Sequence, residues 1–280
     1  EFVHFDGAWS RERHIKVRKL EQGMQSVESA RGHSSHNHNP LILLRRLGTD
    51  ERQGEVIGFS LIYSGNFLAQ VECDVWDTTR VTLGINPFGF DWKLSPNESF
   101  QTPEAVAVYS CEGQNGMSHT FHNLYRSRLA RGEWRDKPRP ILINNWEATY
   151  FDFNEDKLVS IAEGAKKDGV ELFVLDDGWF GARSNDFAGL GDWTVNKERL
   201  PRGITGLAER IDALGMKFGL WFEPEMVNKD SDLFRAHPDW IIGTPDRRGS
   251  HGRNQYVLDY SRAEVVDNIY DQMAKILGEA

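Results

Sequence analysis

The chain has 280 residues, of which 39% are hydrophobic and 27% charged, so it is long enough to bury a core in one large domain or two ordinary ones. Its formal net charge of −9 at pH 7 argues against a nucleic-acid or anionic-membrane partner, because either surface needs clustered lysine and arginine. The longest apolar runs are far shorter than the roughly 20 residues of a membrane-spanning helix, and the first residues lack the basic and apolar pattern of a signal peptide.

The first half of the chain is rich in β-forming residues. Five short segments are of this kind, namely GFSLIYSG, NFLAQVECDVW, TTRVTLGIN, FDWKLSPNESF and EAVAVYSC. Glycine, asparagine and proline lie between them. Their spacing over residues 57–111 predicts an antiparallel sheet or sandwich. Residues 114–132 carry apolar side chains near helical spacing, which predicts a linking helix that ends at Gly132. The charged, proline-punctuated segment 135–140 suits a domain boundary, so we place one domain at 1–136 and another at 137–280.

In the second half, candidate strands alternate with candidate helices. The strands are ILINNW (141–146), ELFVLDD (171–177) and KFGLWFEP (217–224), and the helices are 154–169, with Asn154 as N-cap and Gly169 after it, and 204–215. This alternation implies βαβ units and a parallel sheet. It favours a (β/α) barrel, whose active site lies at the C-terminal ends of the strands. A doubly wound sheet is the alternative, although no glycine-rich phosphate-binding loop follows a strand.

Polar and aromatic side chains gather where these predicted strands end. They are Asn145, Trp146 and Glu147 after the first, Asp176 and Asp177 after the second, and Trp221 and Glu223 at the third. Buried carboxylates require hydrogen-bond donors, and sugar hydroxyls are donors. For any one acid, an ion pair with Arg253 or Lys217, or capping of the next helix, is an equally good explanation. Three such strand ends together favour a ligand site.

Long motifs, in order along the chain, resemble the α-galactosidases of glycoside hydrolase family 36. They include GAWSRERH, SSHNHNP, EVIGFSLIYSGNF, RPILINNWEATYF, LFVLDDGWFG, LGDWTVNKERLPRGITGLAERIDALGMKFGLWFEPEMV, HPDWII and GRNQYVLDYS. The resemblance covers essentially the whole chain. It implies a multi-domain fold, with an antiparallel β-sandwich followed by the first three βα units of a (β/α)8 TIM barrel. It also implies no cofactor, α-galactoside oligosaccharides as partners and, as in many bacterial members, a cytoplasmic homotetramer.

The same resemblance implies a role for six residues in substrate binding. They are Asp176 and Asp177 for the galactose hydroxyls, Trp221 and Trp146 as pocket walls, Arg253 as a sugar-contacting arginine, and Trp9 at the pocket rim. Neighbouring strand residues point to opposite faces, so Asp176 and Asp177 cannot easily bracket a glycosidic bond as a retaining pair must. Core packing is the commoner role of any single tryptophan. We expect Glu223 and Glu225 to make supporting hydrogen bonds.

The catalytic residues of the family are expected beyond Ala280. The family's nucleophile lies in a Lys-Trp-Asp motif on the fourth barrel strand, and its acid/base is an aspartate on a later strand. This chain ends with DNIYDQMAKILGEA, which we predict to be the helix before that fourth strand, so we expect an internal part of such an enzyme. Three hypotheses remain: retaining hydrolysis of terminal α-galactosides such as melibiose and raffinose; galactosyl transfer or action on the N-acetylated sugar; and a non-catalytic carbohydrate-binding or structural piece.

Histidines and cysteines complete the candidate residues. His33, His36 and His38 have a spacing that could hold zinc, but without an anchored fourth ligand we predict no metal site. The two cysteines, Cys73 and Cys111, are too few for a disulfide scaffold and fit a reducing compartment.

Overall fold

The computed structural model describes residues 1–244, 246–247 and 249–280. The chain divides into two compact units, which we call unit 1 (Glu1–Lys137) and unit 2 (Pro138–Ala280). Among the described residues, no helix combines the length and the apolar character needed to cross a bilayer.

Unit 1 is built from two antiparallel sheets. Its strands are β1 (Phe2–Ala8), β2 (Arg11–Arg18), β3 (Gly23–Ser29), β4 (His38–Arg45), β5 (Val56–Ile62), β6 (Phe67–Cys73), β7 (Thr79–Ile85) and β8 (Glu104–Ser110). One sheet has the order β2-β1-β4-β5-β8 and the other β3-β6-β7. Helix α1 (Gly113–Leu124) follows and continues as a π-helical turn, Tyr125–Leu129, so the predicted linking helix forms but ends before Gly132.

Alternation along the strands buries both faces of the five-stranded sheet. Phe2 packs in one core with Phe67 of the other sheet, whereas the next residue, Val3, packs with Met117 and Phe121 of α1. Successive side chains of a strand point to opposite faces, so strands β1, β4 and β5 each contribute to two cores. The face-to-face sheets confirm the predicted antiparallel sandwich.

Two expectations about unit 1 need correction. The sequence analysis named no strand before residue 57, yet β1 to β4 lie there. Conversely, no strand forms at residues 90–100, although we counted FDWKLSPNESF among the β segments. There the chain turns through Asn97, at a φ of +70°, and the rings of Trp92 and Phe100 pack together at a centroid distance of 4.8 Å. Aromatic residues raise β-propensity, but local packing decides whether a strand pairs.

Unit 2 contains the predicted parallel sheet. Its elements are β9 (Leu142–Asn144), α2 (Trp146–Thr149), α3 (Glu155–Lys167), β10 (Leu172–Leu175), α4 (Gly203–Ala213), β11 (Lys217–Leu220), β12 (Met226–Asn228), α5 (Asp232–Ala236), β13 (His251–Gly252), β14 (Gln255–Val257) and α6 (Ala263–Glu279). Strands β9, β10 and β11 are parallel neighbours in the order β11-β10-β9. Sequential strands that pair side by side are typical of a barrel wall, so the three predicted βα units are confirmed.

The third βα unit has an addition that the sequence analysis did not predict. Between β11 and α6, the chain forms a small antiparallel sheet with the order β12-β14-β13. In contrast, the ends of α3 are as predicted. The side chain of Asn154 accepts a hydrogen bond from the backbone N–H of Lys157 at 3.0 Å, and Gly169 takes a φ of +86° after the last turn.

Candidate functional site

The three parallel strands of unit 2 end side by side. Asn145, directly after β9, is buried, and its side-chain oxygen accepts the backbone N–H of Asp176 at 2.8 Å. Trp221, directly after β11, donates its backbone N–H to the carbonyl of Leu175 at 2.9 Å. Hydrogen bonds therefore join the C-terminal ends of all three strands, as the barrel interpretation predicts.

Asp176 is half-buried at this edge. Its Oδ2 accepts a hydrogen bond from Asn144 Nδ2 at 2.7 Å, and its Oδ1 accepts the backbone N–H of Asp177 at 2.7 Å. Burial raises the pKa of Asp176, and the nearby charge of Asp177 adds to the rise, while the two hydrogen bonds oppose it. Each carboxylate oxygen has a further lone pair. Asp176 can therefore still accept hydroxyl protons from a ligand.

Asp177 is held by a buried arginine. It is 4% exposed and Arg183 is 0% exposed. Arg183 Nε donates to Asp177 Oδ1 at 2.9 Å, and Arg183 Nη2 donates to Oδ2 at 2.8 Å, which is the two-pronged arrangement that guanidinium and carboxylate groups favour. The sequence analysis considered Arg253 and Lys217 as partners for the strand-end acids and missed Arg183. No periodic pattern marks it, because it lies in a loop six residues after Asp177.

Asn228 fixes the other side of the guanidinium. It is fully buried at the end of β12, and its Oδ1 accepts hydrogen bonds from Arg183 Nη1 at 3.0 Å and from the backbone N–H of Leu190 at 3.0 Å. Its Nδ2 donates to the carbonyls of Asp186 and Asn254, each at 3.1 Å. All four hydrogen-bonding positions of the amide are therefore used.

Arg253 lies in the tight turn between β13 and β14. Gly252 pairs with Gln255, so the turn consists of Arg253 and Asn254, whose φ values are +51° and +61°. Positive φ at both central residues is the geometry of a type I′ hairpin, although arginine rarely adopts it. Arg253 Nη2 donates to Asp186 Oδ1 at 2.6 Å. Its otherwise exposed guanidinium is thus tied to the loop that carries Arg183.

The glutamates of FEPE have different environments. Glu223 is half-buried and Glu225 is exposed. Burial raises the pKa of Glu223, and the charge of Glu225 contributes to the rise. Gln255 Nε2 donates to Glu223 Oε2 at 3.3 Å. Glu223 therefore takes part in the hydrogen-bonding network that the sequence analysis expected, on the side of the β13–β14 turn.

The tryptophans divide into core and surface residues. Trp179 is fully buried and donates its indole N–H to the carbonyl of Trp221 at 3.0 Å, whereas the Trp221 side chain is half-buried at the strand ends. Trp146, half-buried after β9, packs edge-on against Phe151 at 5.1 Å. Trp9 is 83% exposed in the β1–β2 turn of unit 1. Five of the six predicted residues therefore lie in unit 2 and Trp9 lies in unit 1, and the binding roles of all six stay predictions.

Of the three histidines that the sequence analysis considered for zinc, His38 belongs to a cluster of possible metal ligands in unit 1. In unit 1, Nδ1 of His38 and Nδ1 of His4 lie 2.8 and 2.7 Å from the same oxygen of Asp6. Among the described residues, this trio is the group of donor side chains whose atoms are close enough to hold a metal ion. The nitrogen-to-oxygen distances are hydrogen-bond lengths. We therefore interpret the trio as a carboxylate that links two imidazoles.

Two family profiles match consecutive parts of the chain. The Glycosyl hydrolase family 36 N-terminal domain matches residues 1–95, and the Melibiase family matches residues 99–280. The chain belongs to glycoside hydrolase family 36. The family resemblance noted from the motifs is therefore confirmed.

Several α-galactosidases are similar to this chain, two of them over its whole length. It is 59% identical to the α-galactosidase AgaA of Geobacillus stearothermophilus over 280 residues, covering 100% of this chain and 38% of that protein. The crystal structure of the α-galactosidase AgaB from the same organism matches with a TM-score of 0.97 and 60% identity, covering 100% of this chain and 39% of that one. The α-galactosidase TtGalA from Thermus thermophilus matches with a TM-score of 0.59 and 26% identity, covering 86% and 43%. The chain thus spans about two fifths of these relatives.

Proposed function

We propose that the protein containing this chain is an α-galactosidase that hydrolyses terminal non-reducing α-galactosyl residues of oligosaccharides such as melibiose and raffinose, with retention of configuration. Unit 2 would supply much of the wall that binds galactose. Membership of family 36 supports this proposal. So do relatives: AgaA variants have been crystallised with stachyose and with raffinose.

The observation that carries the proposal is the pair of carboxylates at the end of β10. Asp176 is half-buried and keeps free lone pairs, and Asp177 is fixed by Arg183. Charged acceptors that are already oriented bind hydroxyl groups strongly and reject a ligand in which a hydroxyl is missing or displaced. Beside them, the indole of Trp221 offers an apolar face for a sugar ring, and Arg253 offers hydrogen-bond donors.

The geometry favours binding over catalysis for both carboxylates. A retaining glycosidase places its two carboxyl groups about 5 to 5.5 Å apart on opposite sides of the scissile bond. Asp176 and Asp177 are adjacent, and the backbone N–H of Asp177 binds the Asp176 side chain. Both therefore belong to one wall. Asp177 is also committed to Arg183 through both of its oxygens, so we assign no catalytic residue within this chain.

Calorimetric titration of the protein that contains this chain with galactose and with its 4-epimer glucose tests the proposal. We expect galactose to bind more tightly, and Asp176→Asn to weaken galactose binding by about 10-fold or more, since a hydrogen bond to a charged group contributes about 1.5 to 3 kcal/mol. Asp168→Asn, the same change at an exposed position on the C-cap of α3, should have no effect. Equal binding of the two sugars would contradict the proposal.

Turnover provides an independent test of the assigned roles. We expect the 280-residue chain to release nitrophenol from an aryl α-galactoside no faster than a buffer blank. Release well above the blank that is lost in Asp177→Asn would show that a carboxylate within this chain acts as the nucleophile, and the assignment of Asp176 and Asp177 to binding alone would be wrong.

We also propose, from the family resemblance, that the protein is a cytoplasmic homotetramer. Both cysteines, Cys73 and Cys111, are free thiols, which suits a reducing compartment. Light scattering of the purified protein measures the subunit number directly, and a monomer would contradict the second part of this proposal.

A further inference from the structure

We propose that Arg183 is a positioning residue of the galactose site, which orients the Asp177 carboxylate and couples it to the turn that carries Arg253. This inference rests on the proposed function, because it concerns the same site. Arg183 itself is fully buried, so it acts through the groups that it holds.

The contacts of the Arg183 guanidinium leave it one orientation. Nε and Nη2 donate to the two oxygens of Asp177 at 2.9 and 2.8 Å, while Nη1 donates to Asn228 Oδ1 at 3.0 Å and to the carbonyl of Ala188 at 3.2 Å. The planar group is therefore held from both edges. A carboxylate bound to a fixed planar fork is itself fixed in its plane, and its unused lone pairs point in set directions.

The backbone around the ion pair is held as well. Arg199 Nη1 donates to the carbonyl of Arg183 at 2.8 Å and also to the carbonyl of Gly178, the residue directly after Asp177. The Arg183 guanidinium lies 5.7 Å from the centroid of the Phe151 ring. The two ends of the segment 177–183 are thus tied together by one further arginine.

A second set of contacts connects this ion pair to Arg253. Arg183 Nη2 lies 3.7 Å from Asp186 Oδ1, and the same oxygen accepts a hydrogen bond from Arg253 Nη2 at 2.6 Å. Asn228 adds a parallel link, since it binds Arg183 through its oxygen and the carbonyl of Asn254 through its nitrogen. A shift of Arg183 would therefore displace Asp177 and the Arg253 turn together.

A double-mutant cycle separates positioning from general stabilisation. Galactose affinity would be measured by calorimetry for Arg183→Met, Asp177→Asn and the combined variant. If Arg183 acts through Asp177, Arg183→Met should weaken binding by about 10-fold or more in the parent chain but by less than about 3-fold when Asp177 is already Asn, because groups in one network are not additive. The preference for galactose over glucose should fall in the same variants.

Arg183→Lys keeps the measurement informative if Arg183→Met does not fold. Lysine preserves the charge but cannot make the two-pronged contact. It also leaves some of the acceptors around Arg183 without a donor, so we expect a folded protein with a lowered melting temperature and a several-fold loss of affinity. Arg210→Lys is the matched control. Arg210 pairs with the largely buried Glu155 at 3.1 Å, within the same unit, and its replacement should leave galactose binding unchanged.

The outcomes are distinguishable. If the parent chain binds galactose while Arg183→Lys binds equally well, or while the losses from Arg183→Met and Asp177→Asn simply add, the positioning role is refuted and the proposed function stands. If the folded protein that contains the unchanged chain does not distinguish galactose from glucose, the proposed function fails and the positioning role fails with it.

Discussion

Replacement of Asn228 by alanine tests how much the buried polar network of unit 2 contributes to stability. The substitution removes two hydrogen bonds accepted by Oδ1, from Arg183 Nη1 and the N–H of Leu190, and two donated by Nδ2. Arg183 Nη1 keeps the carbonyl of Ala188, but the buried N–H of Leu190 loses the partner shown here. A net hydrogen bond contributes about 1 kcal/mol, and a buried group left unpaired costs about 1 to 3 kcal/mol. We therefore expect Asn228→Ala to lower the free energy of unfolding by about 3 to 5 kcal/mol.

Urea unfolding monitored by tryptophan fluorescence measures this change. The buried indoles of Trp179 and Trp193 report on unit 2, so its transition can be followed even if the two units unfold separately. Asn185→Ala is the matched control, because Asn185 is exposed in the same loop region and its side chain accepts a hydrogen bond from the N–H of Phe187. We expect this substitution to lower the free energy of unfolding by less than about 1 kcal/mol. A loss of under about 1 kcal/mol for Asn228→Ala as well would refute the reasoning.

Three further predictions follow from titratable groups and backbone geometry. Burial raises the pKa of Asp176, so protonation competes with hydroxyl donors, and galactose affinity should fall as the pH drops through that raised pKa. Calorimetry between about pH 4 and 7 measures this fall. In Asp176→Asn the affinity is already reduced, and it should not fall further with pH over the same range. Burial lowers the pKa of His4 below 6.5. Below that pH the unfolded chain therefore binds more protons than the folded chain, and unit 1 should lose stability on acidification. If urea unfolding of His4→Phe depends on pH as the unchanged protein does, His4 is not the cause. Gly178 has a φ of +101°, and a Cβ there would lie 2.8 Å from Arg199 Nη1 and 2.9 Å from Phe151 Cδ1. Gly178→Ala should therefore lower the free energy of unfolding by about 1 to 3 kcal/mol. A melting temperature equal to that of the unchanged protein would show that these neighbours move aside.

Signals confined to a few residues predicted the elements of unit 2 well. The cap of α3 depends on Asn154 and the N–H three residues later, and the left-handed turn after it depends on Gly169; both are decided locally. Residues 90–100 show the limit of such signals. Their aromatic side chains favour a strand, but strand formation requires a neighbour to pair with, and the rings pack with one another instead.

The sequence by itself determined which side chains lie at the strand ends of unit 2. Alternating strands and helices lead to a parallel sheet, so Asn145, Asp176 and Trp221 had to be near one another. Only the tertiary structure decided the partners of these residues. Arg183 and Asn228 are 45 residues apart. Arg183 lies in a loop, and Asn228 ends the three-residue strand β12, which the sequence analysis did not predict. Their hydrogen bonds depend on how loops cross in space, because buried charges and amides must be satisfied by whatever groups the fold brings to them.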